Sequence, residues 1–287
     1  RACPNCSVSL THHLKERKLR CHHCEYVEPF DTACRSCGSM ASQPLGAGTE
    51  RVEAAVKQDI PDARVLRLAR DMTSTRGVLT DTLARFRNHE ADILVGTQMV
   101  AKGHDFPRVT LVGMILADAS LSIPDFRAAE RTFQLVVQVS GRAGRAESPG
   151  RVVVQAFDPS HQALQLASRH DVQAFLRWAY EERLQDGYPP HRRLGAIRID
   201  APNRHAAQRA AEAARAALDP LVGEKLRVLG PAPAPLERVR GRDRWLLLIF
   251  ADRPSTLLTS LKRAQQALAG RPSNVGLVVD VDPVDLL

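Results

Sequence analysis

The chain has 287 residues, of which 44% are hydrophobic and 25% charged, and its net charge is +8. That length can build two compact domains with a small satellite, and the composition excludes a wholly disordered, collagen-like or low-complexity protein. The longest strongly apolar run, Val109 to Ala117, is far shorter than the ~20 residues that a membrane-spanning helix needs. The excess of Lys and Arg favours a polyanionic partner, and nucleic acid is the leading candidate.

Six cysteines form three CxxC pairs within the first 37 residues, in a segment that is rich in Lys, Arg and His and has almost no apolar periodicity. The chain starts at Arg1 without a signal-peptide pattern, so we expect a piece of a longer cytoplasmic protein. In such a protein, paired cysteines indicate metal binding rather than disulfide bonds.

Two CxxC pairs can supply four thiolates to a tetrahedral zinc ion, and 14 residues separate the first pair from the second, close to the usual ribbon spacing. We therefore predict a closed structural zinc site at Cys3, Cys6, Cys21 and Cys24. Cysteines packed merely as small apolar groups would need an apolar neighbourhood that this segment lacks. Cys34 and Cys37 are left without a second pair. Either an upstream knuckle completes their site, or one of four histidines does: His12, His13, His22 and His23.

Alternating strand and helix patterns begin near Gly46 and predict a parallel sheet with helices on both faces. The predicted strands are Ala63–Leu68, Ile93–Thr97, Thr110–Leu116 and Arg151–Phe157, and the predicted helices are Thr49–Gln58, Leu79–Asn88, Asp125–Gln138 and a long stretch from about His161 to Gln185. Gly187 and the pair Pro189 and Pro190 mark the end of this region.

The remaining residues predict the order βαββαβ of a split-βαβ sandwich. Its predicted strands are Leu194–Asp200, Leu226–Leu229, Trp245–Phe250 and Val275–Val281, and its predicted helices are Arg204–Leu218 and Ser255–Ala269. The sequence thus divides into a zinc-binding region (1–45), an α/β domain (46–187) and a C-terminal split-βαβ domain (188–287).

Two glycine-rich segments carry the candidate chemistry. The first is QVSGRAGR (138–145), whose Arg142 and Arg145 follow a predicted helix and are separated by a small residue and a glycine. Guanidinium groups match phosphate oxygens and can neutralise charge that develops on a transferring phosphoryl group. By residue type alone, a solvated basic turn explains the two arginines equally well.

The second segment, GTQMVAKGHDFP (96–107), leaves the carboxyl end of a predicted strand, which is where open α/β sheets bind ligands. Its glycines permit a close backbone approach, and its Thr, Gln, Lys and Asp side chains can face phosphate or sugar. Taken singly, His104 and Asp105 are more typical of a surface hydrogen-bonding pair than of a catalytic one.

These segments, together with the CxxC pairs, GAGTERVE (46–53), RDMTSTRG (70–77), PDFRAAERTFQL (124–135) and LGPAPAPLERVRGRDRW (229–245), resemble the bacterial replication-restart primosomal helicases, the PriA family of superfamily 2. The resemblance covers essentially the whole chain. It implies that residues 46–187 form the second RecA-like helicase lobe, with motif V in GTQMVAKGHD and motif VI in QVSGRAGR.

The resemblance also implies a DNA-stimulated ATPase that recognises stalled or branched forks, moves 3′ to 5′ on single-stranded DNA and promotes primosome assembly. The implied partners are forked and single-stranded DNA, the single-strand-binding protein and other primosome proteins. Zinc is an implied cofactor, with two sites in the intact protein and one of them complete here, and ATP with Mg²⁺ is the other. The family has eight cysteines, the first knuckle pairing with the fourth, so Cys34 and Cys37 lack their partner in this chain.

Site residues follow from the same resemblance. Arg142 and Arg145 would be the catalytic residues that reach the γ-phosphate of the nucleotide. Gln138 would support the nucleotide, while Gly103 and Asp105 would couple nucleotide to DNA. The DNA-strand path would be lined by a further group of polar and basic residues: Thr97, Gln98, Lys102, Arg70, Thr73 and Arg76.

The chain departs from the family pattern because it contains no GxxxxGK[ST] loop and no DExx segment, so we expect that it does not hydrolyse ATP alone. A competing hypothesis is a non-enzymatic zinc and DNA-binding scaffold for primosome assembly. A zinc-ribbon transcription or translation factor is a third hypothesis, but it leaves the glycine-arginine segments unexplained. In addition, Leu116 stands where relatives often have an acidic residue.

Four arginines follow the proline run at alternate positions: Arg238, Arg240, Arg242 and Arg244. Alternate residues of a strand share one face, so we predict a single basic face that binds DNA phosphate. A solvated hairpin edge protected by charge fits the same residues about as well.

Overall fold

The computed structural model describes residues 3–5, 10–13, 17–21, 24, 26–31, 33, 37–39, 48–68, 77–101, 106, 108–141 and 150–286. They form a mixed α/β structure, as the sequence predicts, with a small cysteine-rich module before a lobe of parallel strands and a βαββαβ unit after it. Among these residues, no helix is both long and apolar enough to span a bilayer.

The cysteine-rich module contains a three-stranded antiparallel meander, although its sequence lacks apolar periodicity. Its strands are β1 (Thr11–His13), β2 (Lys18–Arg20) and β3 (Val27–Pro29), in the order β1-β2-β3. Each has only three residues, and the buried apolar groups among the described residues of the module are Leu19 and the cysteines Cys3 and Cys21. So small a core cannot stabilise a sheet by burial alone, and it needs a further restraint such as a metal.

The lobe follows the predicted alternation of strands and helices closely. Its elements are α1 (Thr49–Asp59), β4 (Val65–Leu68), α2 (Val78–Arg87), β5 (Ile93–Gly96), α3 (Gln98–Ala101), β6 (Leu111–Met114), α4 (Ala128–Ser140) and β7 (Arg151–Val154). Strand β4 pairs with β5 and β6 pairs with β7, both in parallel. Over the described residues, the hydrogen bonds therefore join the strands as two parallel pairs rather than as the one continuous sheet that the sequence predicts.

Two helices take the place of the single long helix predicted from His161 to Gln185. They are α5 (Gln162–Ser168) and α6 (Val172–Asp186). Between them His170 has φ = 54°, and the Asp171 side chain accepts a hydrogen bond from the backbone N–H of Ala174, which starts the second helix. The apolar pattern extends over both helices, so periodicity alone missed this break.

The helices α4, α5 and α6 pack around a shared apolar cluster. The ring of Phe133 on α4 stacks on Phe175 of α6 at a centroid distance of 3.9 Å, and both rings are buried. The buried face of α4 also carries Val136 and Thr132, whose hydroxyl bonds the Ser120 hydroxyl at 2.7 Å. This packing gives α4 a fixed position, which matters because the helix leads directly into the glycine-arginine segment.

The C-terminal unit is a four-stranded antiparallel sheet of order β11-β8-β10-β9 with two helices on one face. Its elements are β8 (Arg193–Ala201), α7 (Arg204–Leu218), β9 (Leu226–Val239), β10 (Arg242–Ala251), α8 (Pro254–Ala267) and β11 (Gly276–Val281). The βαββαβ prediction is confirmed. The core contains alternate residues of the central strands, such as Ile197 and Leu247, against buried alanines of α7 and leucines of α8. At Gly195 a Cβ atom would lie 2.8 Å from Leu257, so α8 approaches the sheet closely there.

The proline run lies inside a strand, since β9 extends ten residues beyond the predicted end at Leu229. Pro231 and Pro235 fall in the two stretches where the register of β9 against β10 is irregular, where a missing N–H interrupts the ladder least. Strand β9 also lies at the edge of the sheet, which is where strands tolerate proline. The strand turns into β10 through Arg240 and Gly241, both at positive φ (51° and 77°), as a two-residue hairpin of type I′ requires.

Candidate metal centre and nucleic-acid interface

Three of the predicted zinc ligands converge in the cysteine-rich module. The Sγ atoms of Cys3, Cys21 and Cys24 all lie within 4.8 Å of one another, and those of Cys3 and Cys24 are 3.6 Å apart. Zinc–sulfur bonds of about 2.3 Å at tetrahedral angles place two sulfurs about 3.8 Å apart, so this spacing fits a shared zinc ion. The backbone N–H of Asn5 also points at the Cys3 sulfur at 3.4 Å, which stabilises a thiolate.

The surroundings of these sulfurs fit a structural centre. Cys3 is 2% exposed and Cys21 0%, and Tyr26 packs beside them while its hydroxyl donates to the Glu28 carboxylate at 3.0 Å. A closed, buried thiolate site leaves no coordination position for a substrate. The fourth predicted ligand, Cys6, lies outside the described residues, as does Cys34, while Cys37 is exposed.

The carboxyl ends of β4 and β5 lie side by side in the lobe. In the register of this parallel pair, Leu68 is opposite Gly96. A Cβ atom on Gly96 would lie 2.2 Å from the Val100 side chain and 3.2 Å from the Leu68 carbonyl oxygen, so only glycine fits where the chain turns into α3. Thr97 and Gln98 follow and are exposed. The RDMTSTRG segment also follows Leu68 in the sequence, but Arg70, Thr73 and Arg76 lie outside the described residues.

The two glycine-rich segments are linked through their helices. The short helix α3, which begins at Gln98, packs against α4, which carries the half-buried Gln138 near its carboxyl end. Helix α4 ends at Ser140, whose hydroxyl donates to the Val136 carbonyl at 2.7 Å. Five predicted residues of these segments lie outside the described part of the chain: Lys102, Gly103, Asp105, Arg142 and Arg145.

The turn after β6 contains Leu116, the residue that departs from the acidic residue expected from the family resemblance. Leu116 has φ = 53°, a conformation that a branched apolar residue adopts at a cost and that Asp or Asn tolerates better. An acidic residue, as the family resemblance leads us to expect here, would suit this backbone better than leucine does. Two residues later, buried Asp118 accepts the backbone N–H groups of Phe157 and Asp158 at 2.7 and 2.9 Å, which fixes the chain after β7.

The prediction that four arginines share one basic face is wrong. Arg238 pairs across the hairpin with Asp243, which is itself opposite the buried Ala201, so both lie on the face that carries the helices. Arg240 is in the turn, and only Arg242 and Arg244 lie on the open face. The strict alternation fails because the two-residue turn and the irregular register beside it shift the face between β9 and β10.

Arg242 is held within the protein. Its guanidinium forms an ion pair with Asp200, and it also donates to the carbonyl oxygens of Asp200 at 3.1 Å and of Asn274 at 2.8 Å. These bonds tie the hairpin to β8 and to the loop before β11. Arg242 therefore acts first as a structural residue, since these partners would compete with any phosphate for the guanidinium.

Arg244 differs from its neighbour because it has no hydrogen-bond or ion-pair partner among the described residues. It is half-buried on the open face, and the next residue on that face of β10, Leu246, lies opposite Arg198 of β8. Burial lowers the pKa of Arg244 and the charge of Arg198 lowers it further, while the charge of Asp200 raises it. A half-buried guanidinium with a like charge nearby favours a bound anion. Arg198 was not identified as a candidate from the sequence, although its position between the core residues Ile197 and Ile199 places it on the open face.

The tip of this hairpin touches the metal module. The backbone N–H of Gly241 donates to the carbonyl oxygen of Asn5, inside the first CxxC knuckle, at 2.9 Å. Thus the knuckle and the arginine-bearing hairpin are neighbours in the fold, although more than 230 residues separate them in the sequence.

Three family models match successive parts of the chain. They are the PriA DNA helicase Cys-rich region at residues 3–29, the helicase conserved C-terminal domain at 48–147 and the primosomal protein N C-terminal domain at 185–284. Their order and positions coincide with the cysteine module, the lobe that contains both glycine-rich segments, and the βαββαβ unit.

Full-length relatives give the same result. Replication restart protein PriA of Bacillus subtilis is 41% identical over 261 residues, which cover 91% of this chain and 32% of that protein. The corresponding proteins of Synechocystis and Haemophilus influenzae are each 38% identical over 99% of this chain, and the matches cover 34% and 39% of their lengths. The chain belongs to the PriA family.

Membership in the PriA family identifies the cysteine cluster as a zinc ribbon and the lobe as a helicase C-terminal domain. The chain spans about a third to two fifths of the length of these PriA relatives. For this chain, the activity and the partners of a whole PriA protein are therefore proposed below.

Proposed function

We propose that this chain is part of an ATP-dependent DNA helicase that moves 3′ to 5′, recognises stalled or branched replication forks and promotes primosome assembly for replication restart. The observation that carries the proposal is the contact between α3 and α4, the helices that belong to the two glycine-rich segments, within a lobe that matches the helicase C-terminal domain. Motif V begins at the carboxyl end of β5, and motif VI begins on α4, against which α3 packs. We infer the three-part division at residues 45 and 187 and a cytoplasmic location as parts of the same proposal.

In this proposal the chain supplies the second half of a nucleotide site. Arg142 and Arg145 would stabilise negative charge on the transferring phosphoryl group, and Gln138 would support the nucleotide from the end of α4. The other lobe would bind ATP with Mg²⁺, whose role is to neutralise phosphate charge. Gly103 and Asp105 would link this site to the DNA, because motif V also contains the proposed DNA contacts Thr97, Gln98 and Lys102. Alone, the chain would not hydrolyse ATP.

The DNA path would run along the carboxyl ends of β4 and β5. Exposed Thr97 and Gln98 lie there, and the segments with Lys102, Arg70, Thr73 and Arg76 are contiguous with these strand ends in the sequence. Contacts of this kind go to phosphate and sugar, so they support affinity without sequence choice. Fork and single-stranded DNA, the single-strand-binding protein and other primosome proteins are the partners of the proposal.

Zinc would have a folding role at Cys3, Cys6, Cys21 and Cys24. Cys34 and Cys37 would belong to a second site, which the intact protein would complete with another pair of cysteines. A zinc ion bound by these four thiolates would have no open coordination position, so the metal would stabilise the module that contacts the hairpin tip rather than take part in hydrolysis.

Strand displacement tests the proposed helicase function. A protein that joins this chain to its upstream helicase lobe is expected to unwind a duplex with a 3′ single-stranded tail in the presence of ATP, and to leave a duplex with only a 5′ tail intact. A fork with two duplex arms serves as the physiological substrate. Equal unwinding of both tailed duplexes would contradict the proposed polarity, and no unwinding of any substrate would contradict the helicase function.

A substitution of Arg244 tests the open face of the C-terminal sheet. The Arg244→Ala variant of this chain is expected to bind forked DNA more weakly, with the slope of log K against log salt reduced by about 0.7 to 0.9 for each lost phosphate contact. Fluorescence anisotropy over a series of salt concentrations measures both quantities. The control is Arg263→Ala on α8, which removes an exposed arginine from the opposite side of the sheet. If the two variants have the same slope, the open face does not bind phosphate.

The same titration tests the scaffold hypothesis for the isolated chain. The missing phosphate-binding loop favours DNA binding by this chain that does not depend on nucleotide. A chain that fails to bind forked DNA at low salt would remove the scaffold hypothesis.

A further inference from the structure

A buried carboxylate lies just before helix α4 of the lobe. The Asp125 side chain is 0% exposed and faces three donors: the backbone N–H of Arg127 at 2.8 Å, the Arg131 guanidinium at 3.1 Å and the backbone N–H of Leu286 at 3.3 Å. Burying a carboxylate costs free energy unless a positive charge and hydrogen bonds replace its lost hydration. The three donors supply that charge and those hydrogen bonds. The third donor comes from the C-terminal unit, 161 residues further along the chain.

Arg131 holds the same distant segment with a second bond. Its guanidinium bonds Asp125 and also donates to the carbonyl oxygen of Val284 at 2.9 Å. The segment that contains Val284 and Leu286 is itself attached to the sheet of the C-terminal unit, because the backbone N–H of Asp282 donates to the carbonyl of Leu194 at 2.8 Å. A chain of bonds therefore runs from α4 through residues 282–286 to β8.

Apolar side chains also pack at the junction between the lobe and the C-terminal unit. Leu286 is 5% exposed and packs with Leu194 and Phe250 of the sheet, and with Phe126 beside Asp125. The Phe126 ring stacks on Tyr188 at 4.9 Å, and Tyr188 meets the Phe250 ring at 5.2 Å. Burial raises the pKa of the Tyr188 phenol, as expected for a ring enclosed at such a junction.

Two arginines add attachments at the other side of the junction. Arg227 of β9 donates to the carbonyl oxygen of Asp186, at the end of α6, and lies over the Phe250 ring at 4.4 Å. Arg183 of α6 forms an ion pair with Glu130 of α4 and donates to the carbonyl of Pro189 at 3.2 Å. The C-terminal unit is thereby joined to α4 and α6 through several polar and apolar contacts.

We propose that Asp125 and Arg131 are positioning residues that clamp residues 282–286 to the start of α4, so that the C-terminal unit moves together with the helix that leads into motif VI. Helix α4 has 13 residues and is about 20 Å long at 1.5 Å per residue. Asp125 lies three residues before α4 and Arg131 lies near its start, whereas its other end, Ser140, is followed in the sequence by the segment of Arg142 and Arg145. The consequence for DNA-coupled hydrolysis rests on the proposed function, whereas the clamp itself does not.

Hydrogen exchange in the chain 1–287 tests the clamp. The Asp125→Asn variant loses the charge that pairs with Arg131 and turns one acceptor into a donor, so exchange across residues 282–286 is expected to rise at least tenfold. Arg131→Met is the second variant, because Arg131 is 38% exposed and its loss does not threaten the lobe's core. Peptide-resolved mass spectrometry measures the exchange rates.

The matched control is Asp118→Asn, since Asp118 is likewise a buried carboxylate of the lobe that accepts two backbone N–H groups, but within the described part of the chain it forms no hydrogen bond or ion pair with the C-terminal unit. It is expected to raise exchange around Phe157 and to leave residues 282–286 as protected as before. Unchanged exchange across 282–286 in folded Arg131→Met would overturn the clamp.

A second measurement tests the positioning role in the protein that includes the upstream lobe. Arg131→Met is expected to reduce the stimulation of ATP hydrolysis by fork DNA at least threefold while the DNA-free rate stays the same, which a purely structural defect would not produce. Undiminished stimulation together with raised exchange would overturn the coupling. If the unsubstituted protein shows no DNA stimulation, the proposed motor function fails, and the exchange result alone then decides the clamp.

Discussion

Replacing Arg142 or Arg145 by alanine is expected to lower kcat for DNA-stimulated ATP hydrolysis about 1,000-fold in the protein that includes the upstream lobe. The reason is electrostatic, since a guanidinium that meets the γ-phosphoryl group in the transition state contributes roughly 10³ to 10⁵ in kcat. The two residues follow α4 in the sequence, and that helix is held in place by the stacking of Phe133 on Phe175 and by the hydrogen bond between Thr132 and Ser120. Steady-state ATPase assays with saturating fork DNA measure the effect.

Control measurements separate this role from a general loss of basic charge. Arg169→Ala removes an exposed arginine after α5 of the same lobe and is expected to leave kcat within twofold. DNA affinity of the Arg142→Ala and Arg145→Ala variants is expected to change little, because their proposed contact is to nucleotide. If both variants hydrolyse ATP at the unsubstituted rate, the assignment of these arginines to the nucleotide is wrong.

Replacing Cys21 by serine is expected to remove zinc from the first site and to unfold the cysteine-rich module. Cys21 is fully buried in the sulfur cluster, and the three strands around it have only three residues each. Structural zinc sites supply about 10 to 16 kcal/mol of apparent binding free energy in zinc-finger peptides, far more than so small a core can replace. The Gly241 backbone N–H would also lose its partner, the carbonyl of Asn5.

Metal analysis of this chain, combined with hydrogen exchange over residues 3–31 and at Gly241, measures both effects. Cys37→Ser is the matched control, because Cys37 is exposed and lies outside the three-sulfur cluster. This variant is expected to keep the zinc of the first site and the protection of the hairpin tip. A Cys21→Ser chain that retained the full zinc content would refute the predicted ligand set.

Local sequence patterns predicted most of the fold because helices and strands depend on local periodicity. The boundaries of α7 follow from an alanine stripe with Asn203 as its cap, and those of β5 from a short apolar run that ends in glycine. Patterns failed where a short interruption lies inside an apolar stretch. The break at His170 is an example, since the apolar spacing continues on both sides of it.

The candidate site was predictable where the ligands are close in sequence and unpredictable where distant residues meet. The CxxC spacing indicated the zinc site because each knuckle is a local turn. The alternation of the arginines predicted one shared face. This prediction was wrong because a two-residue turn places Arg238 and Arg244 on opposite faces of the sheet. No local signal connects Asp125 with Leu286, because that contact depends on how the C-terminal unit docks on the lobe.

The rate of ATP hydrolysis with and without fork DNA tests the central claim most directly. This chain alone is expected to show no hydrolysis in either condition. The protein that joins it to the upstream helicase lobe is expected to hydrolyse ATP slowly without DNA and at least tenfold faster with it. A joined protein that binds both ATP and fork DNA, yet shows the same rate with and without DNA, would contradict the account of this chain as the second lobe of a DNA-driven motor.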